Sequence, residues 1–345
     1  MTAPILFHLP NDRNATAPPE RRGIRRDQVG LMVSDRKTGD SQHTRFDRLI
    51  DFLNRGDTIV LNASRTIPAV LYGEWRRDQS VLVARLEVRL AKQLSEQIWE
   101  VLPVKKGMRV GDEWIFSSQL KAEVIATDAT SPLVTVKFSL EKEAFYEQIY
   151  RLGEPIRYEY IKKPWSLDYY QTVFATTPGS VELPSAGRAF SWELLIALRK
   201  KGINIVFLTL HTGLSYYLDD SYVMKPERNC EDYEVAEEAI ATIAQTKKEG
   251  GKVIAVGTTV VRALESVVEE SGQLQAQKGR TCVKIDAHTK LAVVDGLITG
   301  FHEPEASHLD LLNAFTGSKQ LSKMYKEALT HQYLWHEFGD IHLLM

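Results

Sequence analysis

Val253-Ile254-Ala255-Val256-Gly257-Thr258-Thr259-Val260-Val261-Arg262-Ala263-Leu264-Glu265-Ser266 changes its period once, at Gly257. An unbroken apolar run ends at a glycine and two hydroxyls, and apolar residues then return at Val261, Leu264 and Val268, the spacing of a helix face. The stretch reads as strand, tight turn, helix. In an open α/β sheet that turn lies at the carboxyl end of a strand, where helix N–H groups and the helix dipole favour a carboxylate, a phosphate or a polar edge. Gly257, Thr258 and Thr259 are therefore candidate ligand contacts. Arg262 and Glu265, three apart, share a helical face and can meet each other or a common ligand. An ordinary surface pair after an ordinary turn fits the local pattern equally well.

At 345 residues, with 43% apolar and 26% charged residues, the chain is long enough for two domains of ordinary globular composition. A net charge of -2 gives no global attraction to nucleic acid, so contact with RNA requires a local patch. Basic clusters occur at Arg21-Arg22 with Arg25-Arg26, at Arg76-Arg77, at Lys105-Lys106 with Arg109, and at Lys162-Lys163; each alone reads as a solvated face. Cys230 and Cys282 cannot make a disulfide framework and have no partner at metal-ligand spacing, so two reduced thiols are expected. No leader and no bilayer-spanning run are evident, which gives the expectation of a cytoplasmic protein. His302 and His308 lack a third ligand at sensible spacing, so no metal is expected.

Around the opening stretch the texture changes twice. Residues 1–66 are mixed, with a strand at Gly30 to Val33, an amphipathic helix at Phe46 to Leu53 and a buried strand at Thr58 to Asn62. Residues 67–156 read as β throughout, with short alternating runs near Val81, Trp99, Trp114, Ala122 and Val134, the signature of a small barrel. From 157 the α/β rhythm resumes. Ser191 caps a helix from Trp192 to Lys201, Gly202 ends it, and a strand from Ile203 runs to Leu210. A helix from about Val235 to Lys248, strands near Cys282 to Ile285 and Leu291 to Val294, and helices near His308 to Phe315 and Tyr325 to Leu334 follow. The β segment thus interrupts one α/β domain made of 1–66 and 157–345.

Three further segments carry chemistry. His211 stands where an apolar strand gives way to the turn at Gly213, a position that presents side chains to the crevice of an α/β fold, although a hydrogen-bonded structural histidine fits too. Pro184-Ser185-Ala186-Gly187 is a small-residue loop ahead of a helix, open to close backbone approach or to simple capping. Gly339-Asp340 precedes a short apolar strand.

Taken in order, these segments resemble the S-adenosylmethionine:tRNA ribosyltransferase-isomerase (QueA) family of queuosine biosynthesis. The resemblance runs through Leu31-Met32-Val33, residues 61–69, Tyr170-Gln171-Thr172-Val173-Phe174-Ala175, residues 184–187, Thr209 to Leu214, Glu231 to Val235, the Gly257 to Ser266 stretch, Leu297 to His302 with Pro304, and Gly339-Asp340. It implies an α/β main domain with an inserted all-β barrel. It also implies transfer and isomerisation of the ribosyl part of S-adenosylmethionine onto 7-aminomethyl-7-deazaguanine in tRNA, giving epoxyqueuosine and releasing adenine and methionine. The sulfonium acidifies the C5′ protons, so a base can generate an ylide that expels adenine, and an acid eases that departure. On this resemblance His211, Glu265 and Asp340 are the expected proton-handling groups and Arg262 the contact to a carboxylate or base edge. Pro184, Ser185, Ala186, Gly187, Gly213, Glu231, Tyr233, Gly257, Thr258, Thr259, Phe301 and His302 form the expected binding set.

The chain also departs from the family pattern. Gly30 replaces an arginine, Arg188-Ala189 replace Leu-His, Ser215-Tyr216-Tyr217 replace Gly-Thr-Phe, and Arg228-Asn229-Cys230 replace Met-His-Ser. Gly300 replaces an asparagine, and Glu337-Phe338-Gly339-Asp340-Ile341-His342 stands for Ser-Tyr-Gly-Asp-Ala-Met. These changes fall inside motifs, so two alternatives stay open: a related enzyme with a different, small-molecule acceptor, and a non-catalytic protein that binds an adenosine-like ligand.

Overall fold

The turn between the strand Val253–Val256 and the helix that follows falls at Gly257, whose φ of +91° is one that only glycine adopts without strain. The computed structural model that contains it describes residues 7–218, 230–268, 273–304 and 306–345. Its strands in chain order are β1 (Gly30–Ser34), β2 (Ser41–Arg45), β3 (Thr58–Asn62), β4 (Ser64–Thr66), β5 (Val70–Arg77), β6 (Ser80–Gln93), β7 (Ile98–Pro103), β8 (Glu113–Ile115), β9 (Lys121–Thr127) and β10 (Val134–Phe138). They continue as β11 (Thr177–Ser180), β12 (Asn204–Leu210), β13 (Glu231–Val235), β14 (Val253–Val256), β15 (Gln277–Thr281), β16 (Gly296–Gly300) and β17 (Ile341–Leu344). The helices are α1 (Lys142–Leu152), α2 (Ser185–Arg188), α3 (Trp192–Lys201), α4 (Glu237–Lys248), α5 (Thr258–Ser266), α6 (Ser307–Leu312) and α7 (Ser318–Thr330).

The main sheet has the order β15-β13-β12-β3-β14-β16-β17-β1-β2, and a closed barrel has the order β10-β7-β6-β5-β8-β9. In the sheet β12, β3, β14 and β16 are mutually parallel, whereas β17 runs against β16 and is followed in parallel by β1. The carboxyl ends of four central strands therefore share an edge with the amino ends of β17 and β1. Since β13 is antiparallel to β12, and β15 to β13, the start of β13 and the end of β15 reach the same edge. The central strands are buried on both faces, as continuous apolar runs require: Thr58 to Asn62 and Val253 to Val256 are buried throughout. One core cluster packs α5, α6 and α7 on one face, a second packs α3 and Phe46 on the other, and a third fills the barrel around Trp99, Trp114 and Phe138.

The α/β domain with an inserted barrel, expected from the sequence, is the architecture observed. Ser191 accepts the Leu194 N–H at 3.1 Å, and Gly202 ends α3 at φ +89°, as their residue types dictate. Several details differ. The β texture of 67–156 contains α1, whose Phe145 and Ile149 seal the barrel core. Residues 46–52 form a 3-10 helix. The strand expected near 291–294 begins instead at Gly296, because the N–H groups of Ala292, Val293 and Val294 go to the Glu265 carboxylate and not to a ladder. The strand expected at 282–285 lies earlier, as β15, paired with β13, a strand the helical reading of 235–248 left out.

The cysteines also need correction. Glu231 pairs with Thr281, so the next positions out, Cys230 and Cys282, face each other across the strands with Cα atoms 4.1 Å apart, and they form a disulfide. A separation of 52 residues hid this cross-strand register from the sequence. Among the described residues no helix is long and apolar enough to cross a membrane.

Candidate active site

The shared edge gathers the chemistry. At the end of β12, His211 lies flat over Gly179: a Cβ there would fall 2.5 Å from Nδ1, so glycine is required for the ring to rest where it does. Nδ1 bonds Ser64 Oγ at 2.7 Å, Ser64 bonds Ser180 Oγ at 2.6 Å, and the Thr212 N–H donates to Ser180 Oγ at 3.1 Å. This chain fixes the ring plane. Burial pushes the His211 pKa down, with Asp232 opposing, so the imidazole is neutral at pH 7 and able to accept a proton.

Beside it, Gly213 donates its N–H to Glu231 Oε1 at 3.3 Å, and Arg262 closes on Glu231 Oε2 while donating Nε–H to the Val283 carbonyl at 3.1 Å. Burial raises the Glu231 pKa, and the Arg262 charge is the largest of the influences opposing that rise. Gly257 donates to the Ile298 carbonyl at 2.8 Å and faces the 184–187 loop, where its Cβ would lie 3.7 Å from Ala186. Thr258 and Thr259 open α5, and Pro184 precedes the one-turn α2 formed by Ser185, Ala186, Gly187 and Arg188. At the end of β16, Phe301 is buried, and His302 Nε2 meets Thr299 Oγ1 at 2.9 Å with its ring stacked on His308 at 4.3 Å. Burial pushes both imidazoles down, His302 furthest, with neighbouring His308, His336 and His342 adding to it.

Two expected residues, Glu265 and Tyr233, are placed elsewhere, and Asp340, at the shared edge just ahead of β17, is committed to backbone N–H groups. Glu265, beyond the second turn of α5, receives Ala292 N–H at 2.8 Å on Oε2, and Val293 and Val294 N–H at 3.0 and 3.1 Å on Oε1, at the opposite edge of the sheet. Asp340 receives the Gly30 N–H at 2.6 Å and the Leu334 N–H at 2.7 Å, clamping β1 to the approach of β17. Tyr233 is buried in the core beneath Gly279.

The altered motif positions have local accounts. At Gly30 a Cβ would meet the Tyr333 ring at 2.8 Å. Arg188, 2% exposed, donates to Glu20 at 2.8 Å and to the Tyr169 carbonyl at 2.7 Å, and lies 5.2 Å over the Phe338 ring. Ala189 is packed in the core, whereas a Cβ on Gly300 would meet nothing within 4 Å. His342 bonds Ser34 Oγ at 2.8 Å and stacks on Phe301 at 5.5 Å, its pKa pushed down to about 3 by burial. Ser215 joins the wall described next, Tyr216 lies half-buried beside it, and Asn229 lies outside the described residues.

A model of the family described as "Queuosine biosynthesis protein" matches residues 3–344. The chain belongs to that family. Proteins named S-adenosylmethionine:tRNA ribosyltransferase-isomerase from Thermoanaerobacter sp. (strain X514) and Caldanaerobacter subterraneus subsp. tengcongensis are each 37% identical to it over 347 residues, covering 99% of this chain and 98% of theirs. The crystal structure of S-adenosylmethionine tRNA ribosyltransferase from Thermotoga maritima, 28% identical, superposes with a TM-score of 0.56 over 98% of this chain and 99% of that one.

This queuosine biosynthesis family member also presents a wall that sequence reasoning missed. Tyr158 and Tyr160 lie parallel at 5.7 Å, and Tyr160 stacks on His336 at 4.2 Å. Glu337 meets Tyr160 Oη at 3.2 Å, while Glu182 receives the Ser215 N–H at 2.8 Å and its hydroxyl at 3.0 Å, with Tyr158 Oη 3.2 Å from Ser215 Oγ. The only available signal was position: Glu182 directly precedes the 183–190 loop, and Glu337 lies three residues before Asp340. Of the basic clusters, Arg25, Arg26, Arg76 and Arg77 are each in an ion pair within the chain. One potential metal-ligand group occurs among the described residues, His43, Glu327 and His331 on β2 and at the end of α7.

Proposed function

We propose that this protein transfers and isomerises the ribosyl part of S-adenosylmethionine onto a 7-aminomethyl-7-deazaguanine in tRNA, releasing adenine and methionine. The observation that carries the reading is the convergence, in a chain of this family, of a neutral fixed imidazole (His211), an Arg262–Glu231 pair and the Gly257 turn facing residues 184–187. All stand at one edge of the sheet.

Each part has a place in the chemistry. His211 accepts the C5′ proton made acidic by the sulfonium, because burial keeps its lone pair unprotonated. Glu231, ion-paired with Arg262, offers its carboxylate to the sulfonium or to the acceptor amine. Thr258, Thr259, Ser185 and the backbone of the 184–187 loop supply hydrogen bonds at the start of α5, where helix N–H groups are free. Glu265 and Asp340 act in this reading as fasteners of the fold, since backbone N–H groups occupy both oxygens of each.

Purified protein is incubated with S-adenosylmethionine, with and without tRNA bearing the aminomethyl-deazaguanine, and adenine and methionine are followed by mass spectrometry. Release that depends on the tRNA is the expected result. Binding of S-adenosylmethionine without tRNA-dependent release would favour a second reading, a different and smaller acceptor, for which the open space at Gly300 and the remodelled Arg188-Ala189 loop argue. No binding at all would sink both.

A further inference from the structure

Glu337 and Glu182 belong to the tyrosine wall that meets Ser215, two residues beyond Gly213, and neither has an ion-pair partner among the described residues. Glu337 Oε2 accepts the Tyr160 hydroxyl at 3.2 Å, and Oε1 is enclosed with no hydrogen-bond partner among the described residues. A buried carboxylate with an unsatisfied oxygen is costly, whereas the neutral acid needs only one partner to receive its proton. Burial drives the Glu337 pKa up to about 8, with Glu182 adding to the rise and Arg188 and the Tyr160 bond opposing it. The groups facing Glu337 are Tyr158, Tyr160, Tyr170, Glu182 and Arg188. Of these Arg188 is already committed to Glu20 and the Tyr169 carbonyl. At pH 7 the proton therefore resides on Glu337, and when it sits on Oε2 the bond that Tyr160 donates to the carboxylate reverses, so that the Tyr160 oxygen becomes the acceptor.

Tyr160 completes the arrangement. Its ring is pinned by stacking on His336, whose Nε2 is 2.9 Å from Asn14 Oδ1, and Tyr158 lies parallel on it. Burial beside Glu337 holds the phenol far above its ordinary range, so a free phenolate does not form. A proton leaves Tyr160 only as another arrives. With Glu337 donating to its oxygen, the Tyr160 hydrogen is free to point toward a ligand.

We propose that Tyr160 and Glu337 deliver the proton that the adenine needs as it departs, Tyr160 giving its hydroxyl hydrogen to a ring nitrogen of the purine and Glu337 refilling Tyr160. The ribosyl C–N bond breaks with its electron pair going to the purine, the purine nitrogen gains the Tyr160 proton, Tyr160 Oη gains the Glu337 proton, and Glu337 ends as a carboxylate. Water reloads Glu337 after release. Tyr160 touches the substrate; Glu337 acts through it as a positioning and proton-storing residue. The inference rests on the ribosyl-transfer reading above.

Single-turnover adenine release from the full-length protein, measured from pH 6 to 10, tests it, with S-adenosylmethionine affinity measured by calorimetry. Glu337→Gln and Tyr160→Phe are each expected to slow release about 10²-fold or more with affinity changed less than about 3-fold, a loss typical of a removed proton donor. The wild type is expected to lose rate above about pH 8 as Glu337 ionises, and Glu337→Gln to lack that limb. Glu337→Asp, which keeps an acid, regains part of the rate and keeps an alkaline limb, guarding against a simple folding defect. Near-normal release by Glu337→Gln or Tyr160→Phe, or an unchanged alkaline limb in Glu337→Gln, overturns the pair while leaving ribosyl transfer intact. A wild type that binds S-adenosylmethionine but releases no adenine overturns both.

Discussion

Gly179→Ala isolates His211 without touching it. A methyl group at residue 179 would stand 2.5 Å from Nδ1 and 2.6 Å from the Cε1 atom of His211. Ordinary contact between such atoms is about 3.5 Å, so the ring must retreat by roughly 1 Å. The retreat breaks the 2.7 Å bond to Ser64 that sets the ring plane. Overpacking of this kind costs about 1–3 kcal/mol of stability. A displacement of about 1 Å in a positioned catalytic group costs about 10²-fold in rate. Gly279→Ala is the control, because its nearest neighbour is 3.8 Å away. The assay is single-turnover adenine release alongside urea unfolding. Gly179→Ala is expected to lose about 10²-fold in rate with a small shift in the unfolding midpoint, and the control to change neither. Release by Gly179→Ala within about 3-fold of wild type would remove His211 from the proton-transfer step, because the ring cannot keep its place beside the added methyl.

Other consequences can be measured with the same tools. Glu265→Ala leaves three loop N–H groups without their acceptor and is expected to destabilise the fold on the order of 3 kcal/mol, while adenine release per folded molecule stays near normal; a rate loss in fully folded protein would return Glu265 to the chemistry. Cys282→Ser is expected to lower unfolding free energy by as much as about 4 kcal/mol, the chain-entropy value for a loop of 52 residues, and to abolish the effect of a reducing agent on the wild-type midpoint; two free thiols in non-reducing mass spectra of air-exposed protein would refute the pairing. The folded Glu337 pKa of about 8 lies above its ordinary 4.5, so its contribution to stability is complete below pH 4.5 and is lost as pH rises toward 8. Glu337→Gln is therefore expected to be more resistant to urea than wild type at pH 8.5 and to lose that advantage near pH 5, and parallel pH curves for the two proteins would place the Glu337 titration elsewhere.

What could be read in the sequence was what periodicity and capping control. The strand–turn–helix at Gly257, the Ser191 and Gly202 caps and the alternating barrel strands each follow from local residue types, and each is present. His211, Gly213 and the 184–187 loop were legible as strand-end and turn residues, Arg262 as a helix-face residue, and Glu231 only through the family resemblance. What the sequence hid depends on pairing between distant segments. The Cys230–Cys282 bridge follows from a strand register 52 residues apart. Glu265 reads as a site residue by its place in a motif, yet its carboxylate satisfies a loop that only the folded chain brings beneath it. Gly179 carries no chemistry of its own and matters solely because a ring from β12 lies on it.

A proton donor is less visible in a sequence than a base. A histidine at a strand end announces itself, and burial then lowers its pKa toward the form a base requires. A glutamate is useful as an acid only when it is denied ionic partners, and that denial is a property of its surroundings. Among the described residues Arg188 is the one cation acting on Glu337, and Glu20 already occupies it from a segment 168 residues away. Removing that competition by Glu20→Gln should free Arg188 to pair with Glu337, lower the Glu337 pKa and move the alkaline limb of adenine release to lower pH. The reverse shift, or none, would mean that burial alone sets the proton on Glu337 and that the Glu20–Arg188 pair serves only the packing of α2.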